Sequence, residues 1–280
     1  MVAKKAIIMS ATSDIAVSVC EKWHRDGYEL YGTYRKKNDN YAKLKNLGVH
    51  LFSCDMSDQD SVEKSCRPIL EACGDWNVIL FATGTPAPVG NFKNIDMPQW
   101  IKSVQINFVY QMFATHIFLE KINIKDEIPS IIYFAGGGTN NAVLNYSAYT
   151  ISKIALIKMC ELLDAEIENV KFSIIGPGWV KTKVHNITLE AGESLAGENY
   201  HKTVKKLASA TSEFIPMESV IKSLDWVIEQ PKAVVGGRNF STGSDCFDDK
   251  ALLARLLENK DMYKLRRHGN FDLIKESQEN

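Results

Sequence analysis

No pair of cysteines stands at C-x-x-C or metal-ligand spacing. The six thiols, Cys20, Cys54, Cys66, Cys73, Cys160 and Cys246, are scattered along 280 residues. Most fall inside apolar periodic segments, which predicts buried, reduced side chains and argues against a metal site, a disulfide framework or a redox pair. Charge of one sign is missing too. With Lys+Arg 33 against Asp+Glu 34, the formal net charge is -1. Nothing therefore draws the whole chain to nucleic acid or to an anionic membrane, and no basic stripe with interleaved aromatics appears. No long apolar run precedes Asp14, which speaks against a secretory leader or a membrane span and leads to the expectation of a cytoplasmic protein. Repeats of solenoid period and low-complexity tracts are absent as well. At 45% hydrophobic and 24% charged residues, the composition is that of a globular chain able to bury a full core.

What is present is a regular alternation. Residues 6–9 are a short apolar run closed by the polar stretch 10–14, and amphipathic spacing follows through Ile15, Val19 and Trp23 to Gly27. This reads as strand, tight turn, helix. The unit recurs, with strands over 29–34 and 49–54 and helices over 38–47 and 58–73, stopped by Gly48 and Gly74. Segments 78–81, 131–134 and 172–175 are almost wholly apolar, as strands buried on both sheet faces must be. Two long helical segments, 99–122 and 147–169, lie between them. Such alternation requires right-handed crossovers and predicts an α/β fold: a doubly wound, Rossmann-like parallel sheet with helices on both faces, in a single domain over 1–260. Within it, 176–211 is polar, loop-rich and only weakly helical. Residues 217–229 are amphipathic, 233–235 strand-like and 248–260 helical, and 261–280 form a polar C-terminal tail.

In an open parallel sheet the first strand-to-helix turn presents backbone N–H groups and a positive helix end, which suits a pyrophosphate. Here the turn is Ser10-Ala11-Thr12-Ser13-Asp14-Ile15-Ala16, and the glycine-rich fingerprint expected there is missing. Small side chains at Ser10 and Ala16 permit close backbone approach, and Thr12 and Ser13 carry hydroxyl donors. Asp14 would repel a phosphate, so it is expected to turn away and cap the helix. Read alone, the turn is equally an ordinary capped helix without ligand. The second strand ends in Thr33-Tyr34-Arg35-Lys36-Lys37, with no carboxylate before Asp39. Three cations there form either a solvated loop or a 2′-phosphate site. Topological position favours the second, with Arg35 foremost and NADP(H) preferred over NAD(H).

Tyr149 and Lys153 stand four residues apart at the start of a helix, on one face. A phenol with an ordinary pKa near ~10 works as an acid or base at neutral pH only where its anion is stabilised, and a nearby ammonium does that. Alone, Y-x-x-x-K also arises by chance. Its neighbours are the strand 131–135 and the run Pro177-Gly178-Trp179-Val180-Lys181-Thr182. Upstream lie Cys54-Asp55-Met56-Ser57-Asp58, Ala82-Thr83-Gly84 and Val104-Gln105-Ile106-Asn107. In order and spacing this set resembles the short-chain dehydrogenase/reductase family, over nearly the whole chain.

The resemblance implies an NAD(P)-dependent oxidoreductase. Tyr149 would exchange a proton with the substrate carbonyl or alcohol as hydride passes to or from the nicotinamide. Lys153 would lower the Tyr149 pKa and bind the ribose, and Asn107 would hold a relay water. It sets Ser10, Thr12, Ser13, Asp14 and Ile15 at the pyrophosphate, and Asp55 and Met56 at the adenine. Ala82, Thr83 and Gly84 would lie along the cofactor, and Pro177, Gly178, Val180 and Thr182 along the nicotinamide and its carboxamide. The family's substrate-orienting serine is replaced by Gly136 within Ala135-Gly136-Gly137-Gly138-Thr139-Asn140. Thr139 either swings in for it or is an idle loop hydroxyl. Residues 176–211 match the segment that closes over substrate, and their polar content, including Asn186, Thr188, Glu190 and Tyr200, points to a hydroxylated ligand such as a sugar or nucleotide sugar. His185 and His201 read as substrate contacts or as surface residues. The expected partner is a small-molecule substrate, with no metal, no nucleic acid and no membrane, and the resemblance implies a homodimer or homotetramer packed through 99–122 and 147–169. The missing glycines and serine leave a second class open, a nucleotide-binding protein of this descent with little or no turnover. The joint presence of Tyr149, Lys153 and Asn107 argues for the enzyme.

Overall fold

The alternation becomes a seven-stranded sheet in the computed structural model, which describes residues 3–123, 127–209 and 214–268. Its strands are β1 (Lys5–Met9), β2 (Glu29–Tyr34), β3 (His50–Ser53), β4 (Val78–Phe81), β5 (Ser130–Phe134), β6 (Lys171–Gly176) and β7 (Asn239–Ser241). They lie in the order β3-β2-β1-β4-β5-β6-β7, and every pairing is parallel. Parallel neighbours need crossovers. These are supplied by α1 (Asp14–Arg25), α2 (Asp39–Asn46), α3 (Gln59–Cys73), α4 (Met97–Val104), α5 (Tyr110–Phe118) and α6 (Ser147–Glu166), then by α7 (Asn186–Ala196), α8 (Glu198–Ala208), α9 (Met217–Glu229) and α10 (Lys232–Val235), with α11 (Lys250–Glu258) after the last strand. The winding direction reverses between β1 and β4, and the crevice beyond their C-terminal ends is where such a sheet takes a ligand.

Successive strand residues point to opposite faces, so the sheet builds two cores. Ile7, Phe81, Tyr133 and Phe172 meet Ile69, Phe118 and Leu156 of α3, α5 and α6 on one side. On the other, Ile8, Leu80, Ile132 and Phe240 meet Trp23, Leu224 and Leu256 of α1, α9 and α11. β4 and β5 are buried along their whole length, as their apolar runs require. Cys20, Cys54, Cys66, Cys73 and Cys160 are buried free thiols, and Cys246 is exposed. Among the described residues, no helix is long and apolar enough to cross a membrane, and no group of three or more His, Cys, Asp or Glu is placed to hold a metal.

Four expectations are corrected. Segment 99–122 is helical without a break to Phe118 but not regular: a π-helical turn, Gln105–Val109, joins α4 to α5. Segment 176–211 is more helical than its polarity suggests: α7 and α8 pack against each other, although of their residues only Thr188, Ala196 and Thr203 are buried. Gly197, at φ +58°, makes the tight bend between them, a left-handed position that suits glycine. Residues 233–235 form part of the short helix α10 rather than a strand; an apolar run that short does not separate the two, and Pro231 before it starts a helix readily. Finally, the start of the 261–280 tail is docked. Tyr263 packs edge-on against Phe240 with centroids 5.6 Å apart, and buried Arg238 donates to the carbonyls of Leu256, Asn259 and Met262. Residues 269–280 lie outside the described residues.

Arg266 pins this docked segment, donating to Glu161 at 2.7 Å and to Asp261 at 2.7 Å. The hydrogen bond from Arg266, against an opposing push from burial and with help from Lys158, holds the Glu161 carboxyl at about 2. A depressed carboxylate stabilises the fold above its ordinary pKa of 4.5 and loses that contribution as pH falls from there towards 2. Arg266→Ala should therefore lower the urea midpoint at pH 7, with a deficit that shrinks as pH is taken below 4.5. A deficit independent of pH would assign the loss to packing of the arginine stem instead.

Candidate active site

The turn after β1 replaces glycine with a braced serine. Ser10 sits at φ +62°, the left-handed region that glycine adopts without strain. Its N–H donates to Thr33 Oγ1 at 2.7 Å, and its hydroxyl pairs with Thr83 Oγ1 at 2.8 Å. The two threonines come from the ends of β2 and β4, on either side of β1. Space is made on the neighbouring strand: a Cβ at Gly32 would stand 2.7 Å from Ala11 Cβ. Ser13 is the N-cap of α1, yet its side chain caps nothing, and its buried Oγ has no hydrogen-bond partner. A buried hydroxyl of this kind at a helix N-terminus fits a phosphate oxygen.

Asp14 does not cap α1. It is the first helical residue, and its Oδ2 accepts the Lys183 backbone N–H at 2.7 Å, tying the turn to the loop beyond β6. The expected cap fails because Ser13 already holds the cap position. Ile15 is half-buried against the α1 core.

Beside the turn opens a cleft of about 480 Å³, lined by Ser10, Thr12, Ser13, Arg35, Asp55, Met56, Ala82, Thr83 and Gly84 among others. Arg35 and Lys36 stand at its rim, exposed, as the second-strand reading required. Lys102 of α4 joins them, a residue whose helical position gave no sign of this role. Burial raises the Asp55 carboxyl, but hydrogen bonds from Ser57 and the charges of Arg35 and Lys102 outweigh it and leave it below the ordinary carboxylate value.

The first turn of α6 brings Tyr149 and Lys153 together at the C-terminal edge of the sheet. Lys153 is buried, donates to the Phe134 carbonyl at 2.8 Å and to that of Thr83 at 3.4 Å, and lies 5.7 Å from the Tyr149 ring centroid. Burial pushes the ammonium down to about 7 and the phenol up to about 12. Desolvation rather than the lysine charge thus governs the pair, and the phenol carries its proton at neutral pH.

Asn107 lies in the π-helical turn, fully buried. Its Oδ1 accepts from Thr85 N at 2.8 Å, its Nδ2 donates to Thr85 O at 2.9 Å and Ser103 Oγ at 3.1 Å, and its carbonyl accepts from Gln111 Nε2 at 2.9 Å. Its side chain therefore clamps Thr85, beyond the end of β4, as well as bonding Ser103 one turn back. Gln111 escaped the sequence reading because a buried glutamine in an apolar helix has no distinguishing pattern.

The place of the absent serine is filled. A Cβ at Gly136 would lie 2.6 Å from Tyr149 Cε1 and 2.8 Å from its hydroxyl oxygen. Thr139 is half-buried three residues further along the loop and makes no hydrogen bond to Tyr149 among the described residues. Beyond β6, Gly178 stands at φ +72° with Ile215 Cγ1 2.8 Å from where its Cβ would be, so a side chain there is excluded twice over. Val180 is buried, and Pro177 and Thr182 are half-buried along the same run. The lid is fastened over α6: Tyr146 OH bonds Thr188 Oγ1 at 2.8 Å, and Asn199 donates to the Leu144 carbonyl at 3.0 Å.

The short chain dehydrogenase family model matches residues 4–191. Among curated proteins, the NADPH-dependent 3-dehydrocapnine reductase of Ornithobacterium rhinotracheale is 24% identical over 245 residues, 81% of this chain and 86% of that protein. The serine 3-dehydrogenase of Agrobacterium fabrum is 20% identical over 232 residues, 81% of this chain and 89% of its own. Among solved structures, the actinorhodin polyketide ketoreductase with NADPH superposes with a TM-score of 0.72 at 18% identity, covering 85% of this chain and 95% of that one. A Saccharomyces cerevisiae short-chain dehydrogenase/reductase gives 0.74 at 20% identity, covering 89% and 98%.

The Tyr149 ring resting on Gly136 has a measurable cost attached. Gly136→Ala should destabilise the protein by about 1–3 kcal/mol through overpacking. Most of that loss should vanish in a Tyr149→Ala background, read as a double-mutant cycle in urea. Equal losses in both backgrounds would mean that the ring does not fill the serine's place.

Proposed function

We propose, from the premise that this chain belongs to the short-chain dehydrogenase family and is an NAD(P)-dependent oxidoreductase, that it uses NADP(H) to interconvert a carbonyl and an alcohol on a polar small molecule. The observation that carries this reading is the meeting of Tyr149 and Lys153 at the sheet edge, beside a cleft whose rim holds Arg35, Lys36 and Lys102. A bound nicotinamide supplies or takes the hydride. Everything else falls to the chain's own groups.

In the reducing direction, Tyr149 presents a protonated phenol at the position where a substrate oxygen gains negative charge, and it gives up that proton. Lys153, held by two carbonyls, would bind the nicotinamide ribose and stabilise the phenolate left behind. Asn107 would hold a relay water through the second lone pair of its carbonyl, since its side chain is committed to Thr85 and Ser103. Ser13 and the backbone of the turn would meet the pyrophosphate, with Ser10 and Thr12 beside them, while Asp14 stays on Lys183. Asp55 and Met56 would face the adenine, Ala82, Thr83 and Gly84 the ribose side, and Pro177, Gly178, Val180 and Thr182 the nicotinamide. With Gly136 occupied by the Tyr149 ring, orientation of the substrate oxygen rests on Tyr149 itself, with Thr139 the nearest hydroxyl in the loop sequence. The polar lid favours a hydroxylated substrate such as a sugar or nucleotide sugar.

Exposed apolar side chains on the two long helical segments, Ile101, Val109, Ile151 and Leu162, support assembly of two or four copies through that face.

Tyr149→Phe keeps the ring against Gly136 and removes only the proton donor. Turnover should fall by about two or more orders of magnitude with NADPH affinity nearly unchanged. A variant that works at the original rate would end this assignment. Arg35→Ala should weaken NADPH relative to NADH by roughly 1.5–3 kcal/mol, the scale of a charge-assisted hydrogen bond. Titration of both cofactors by fluorescence checks this, and tighter NADH binding in the unmodified protein would reverse the cofactor assignment.

A further inference from the structure

The segment after β6 holds a cation that no group among the described residues neutralises. Lys206 of α8 is half-buried, with its ammonium 4.5 Å from the centroid of the Trp179 ring. His185 is stacked flat on that indole, with centroids 4.3 Å apart and planes 8° from parallel. A ring lying flat at that distance leaves the opposite face for the ammonium. His185 is itself fixed, its Nε2 sharing a hydrogen bond of 2.8 Å with the Val180 carbonyl. Its second ring nitrogen has no partner among the described residues. An ammonium carries three N–H donors, and a cation–π contact satisfies none of them. Among the described residues, Lys206 has neither an acceptor nor a carboxylate partner.

Its surroundings have the same sign. Residues 181–206 carry five lysines and three glutamates in a chain of net charge -1. One of those glutamates, Glu193, is engaged by His201 at 3.0 Å.

The platform also stands at the reacting end of the sheet. Ala135 N donates to the Ile175 carbonyl at 2.9 Å, so the residues after β5 and β6 leave the sheet side by side. Gly136, which carries the Tyr149 ring, and Trp179 both lie just beyond that edge. The Tyr146–Thr188 and Asn199–Leu144 bonds hold the two lid helices over the start of α6.

We propose that Lys206, set over the Trp179 indole, binds an anionic group of the substrate, a carboxylate or a phosphate. The substrate is then a polar anion rather than a neutral sugar. This rests on the reading of Tyr149 as the reacting centre, since only that places substrate beneath the lid. The indole, backed by His185 on its other face, serves as a rigid platform that sets the ammonium, and Lys206 supplies both the charge and the donors.

The test uses the full chain with two probes, inorganic phosphate and succinate, titrated by tryptophan fluorescence in the presence and absence of saturating NADP+. With NADP+ present, the cofactor's own phosphates fill the cleft near Arg35, so the remaining response belongs to the lid. We expect a saturable change whose dissociation constant rises about tenfold or more in Lys206→Met, a variant that keeps an aliphatic stem over the indole. Lys206→Arg should bind nearly as the unmodified protein does. A response to phosphate alone, to succinate alone or to both supports the proposal and identifies the anion. No response to either, or equal affinity in Lys206→Met, overturns it; Lys206→Gln serves the same comparison if the methionine variant does not fold. The two readings fail separately. Loss of NADP+ binding with the Lys206-dependent anion response intact strikes only the cofactor assignment, and NADP+ binding without that response strikes only the lid site.

Discussion

A non-glycine residue in the left-handed region costs about 1–2 kcal/mol, and Ser10 is kept there by threonines on the two strands that flank its own. The rest of the candidate site depends on that brace. It aims the turn into the crevice between β1 and β4 and sets Ser13 at the start of α1, with Asp14 next to it. Asp14 accepts from the Lys183 backbone, so the turn after β1 and the loop after β6 are one mechanical unit. A glycine at position 10 would relieve the strain and lose the cross-strand hydroxyl pair. Hydrogen bonds here do the work that backbone freedom does in a glycine-rich turn.

A reciprocal exchange occurs at the reacting end. Where a serine side chain is expected, Gly136 has none, and the Tyr149 ring takes the space. Small residue and large residue are matched across a gap that admits only one of them. Burial then raises the phenol and lowers the Lys153 ammonium, so the same desolvation acts on both members of the pair. The π-helical turn contributes by presenting Asn107 to Thr85 and so positioning the end of β4 beside Lys153.

The lid is joined to this centre by few bonds, from Tyr146, Asn199 and Asp14. Its helices bury little apolar surface of their own. Segments held in this way open at low cost compared with the sheet core.

Much of this was determined by the sequence alone. Fully apolar segments such as Val78–Phe81 can only be strands covered on both faces, and their alternation with helices dictates the parallel winding. The four-residue spacing of Tyr149 and Lys153 places both on one helical face, and the want of a carboxylate after β2 puts Arg35 at the rim of the cleft. Local spacing suffices wherever the partners are close in the chain. Tertiary structure alone decided the rest, because the partners there are remote or the local signal is ambiguous. Asp14 finds its acceptor role 169 positions away, Ser10 takes its conformation from Thr33 and Thr83, and Lys206 meets Trp179 only once the lid is folded. Residues 233–235 form a helix because of what they pack against, since a three-residue apolar run carries too little periodicity to choose a structure for itself.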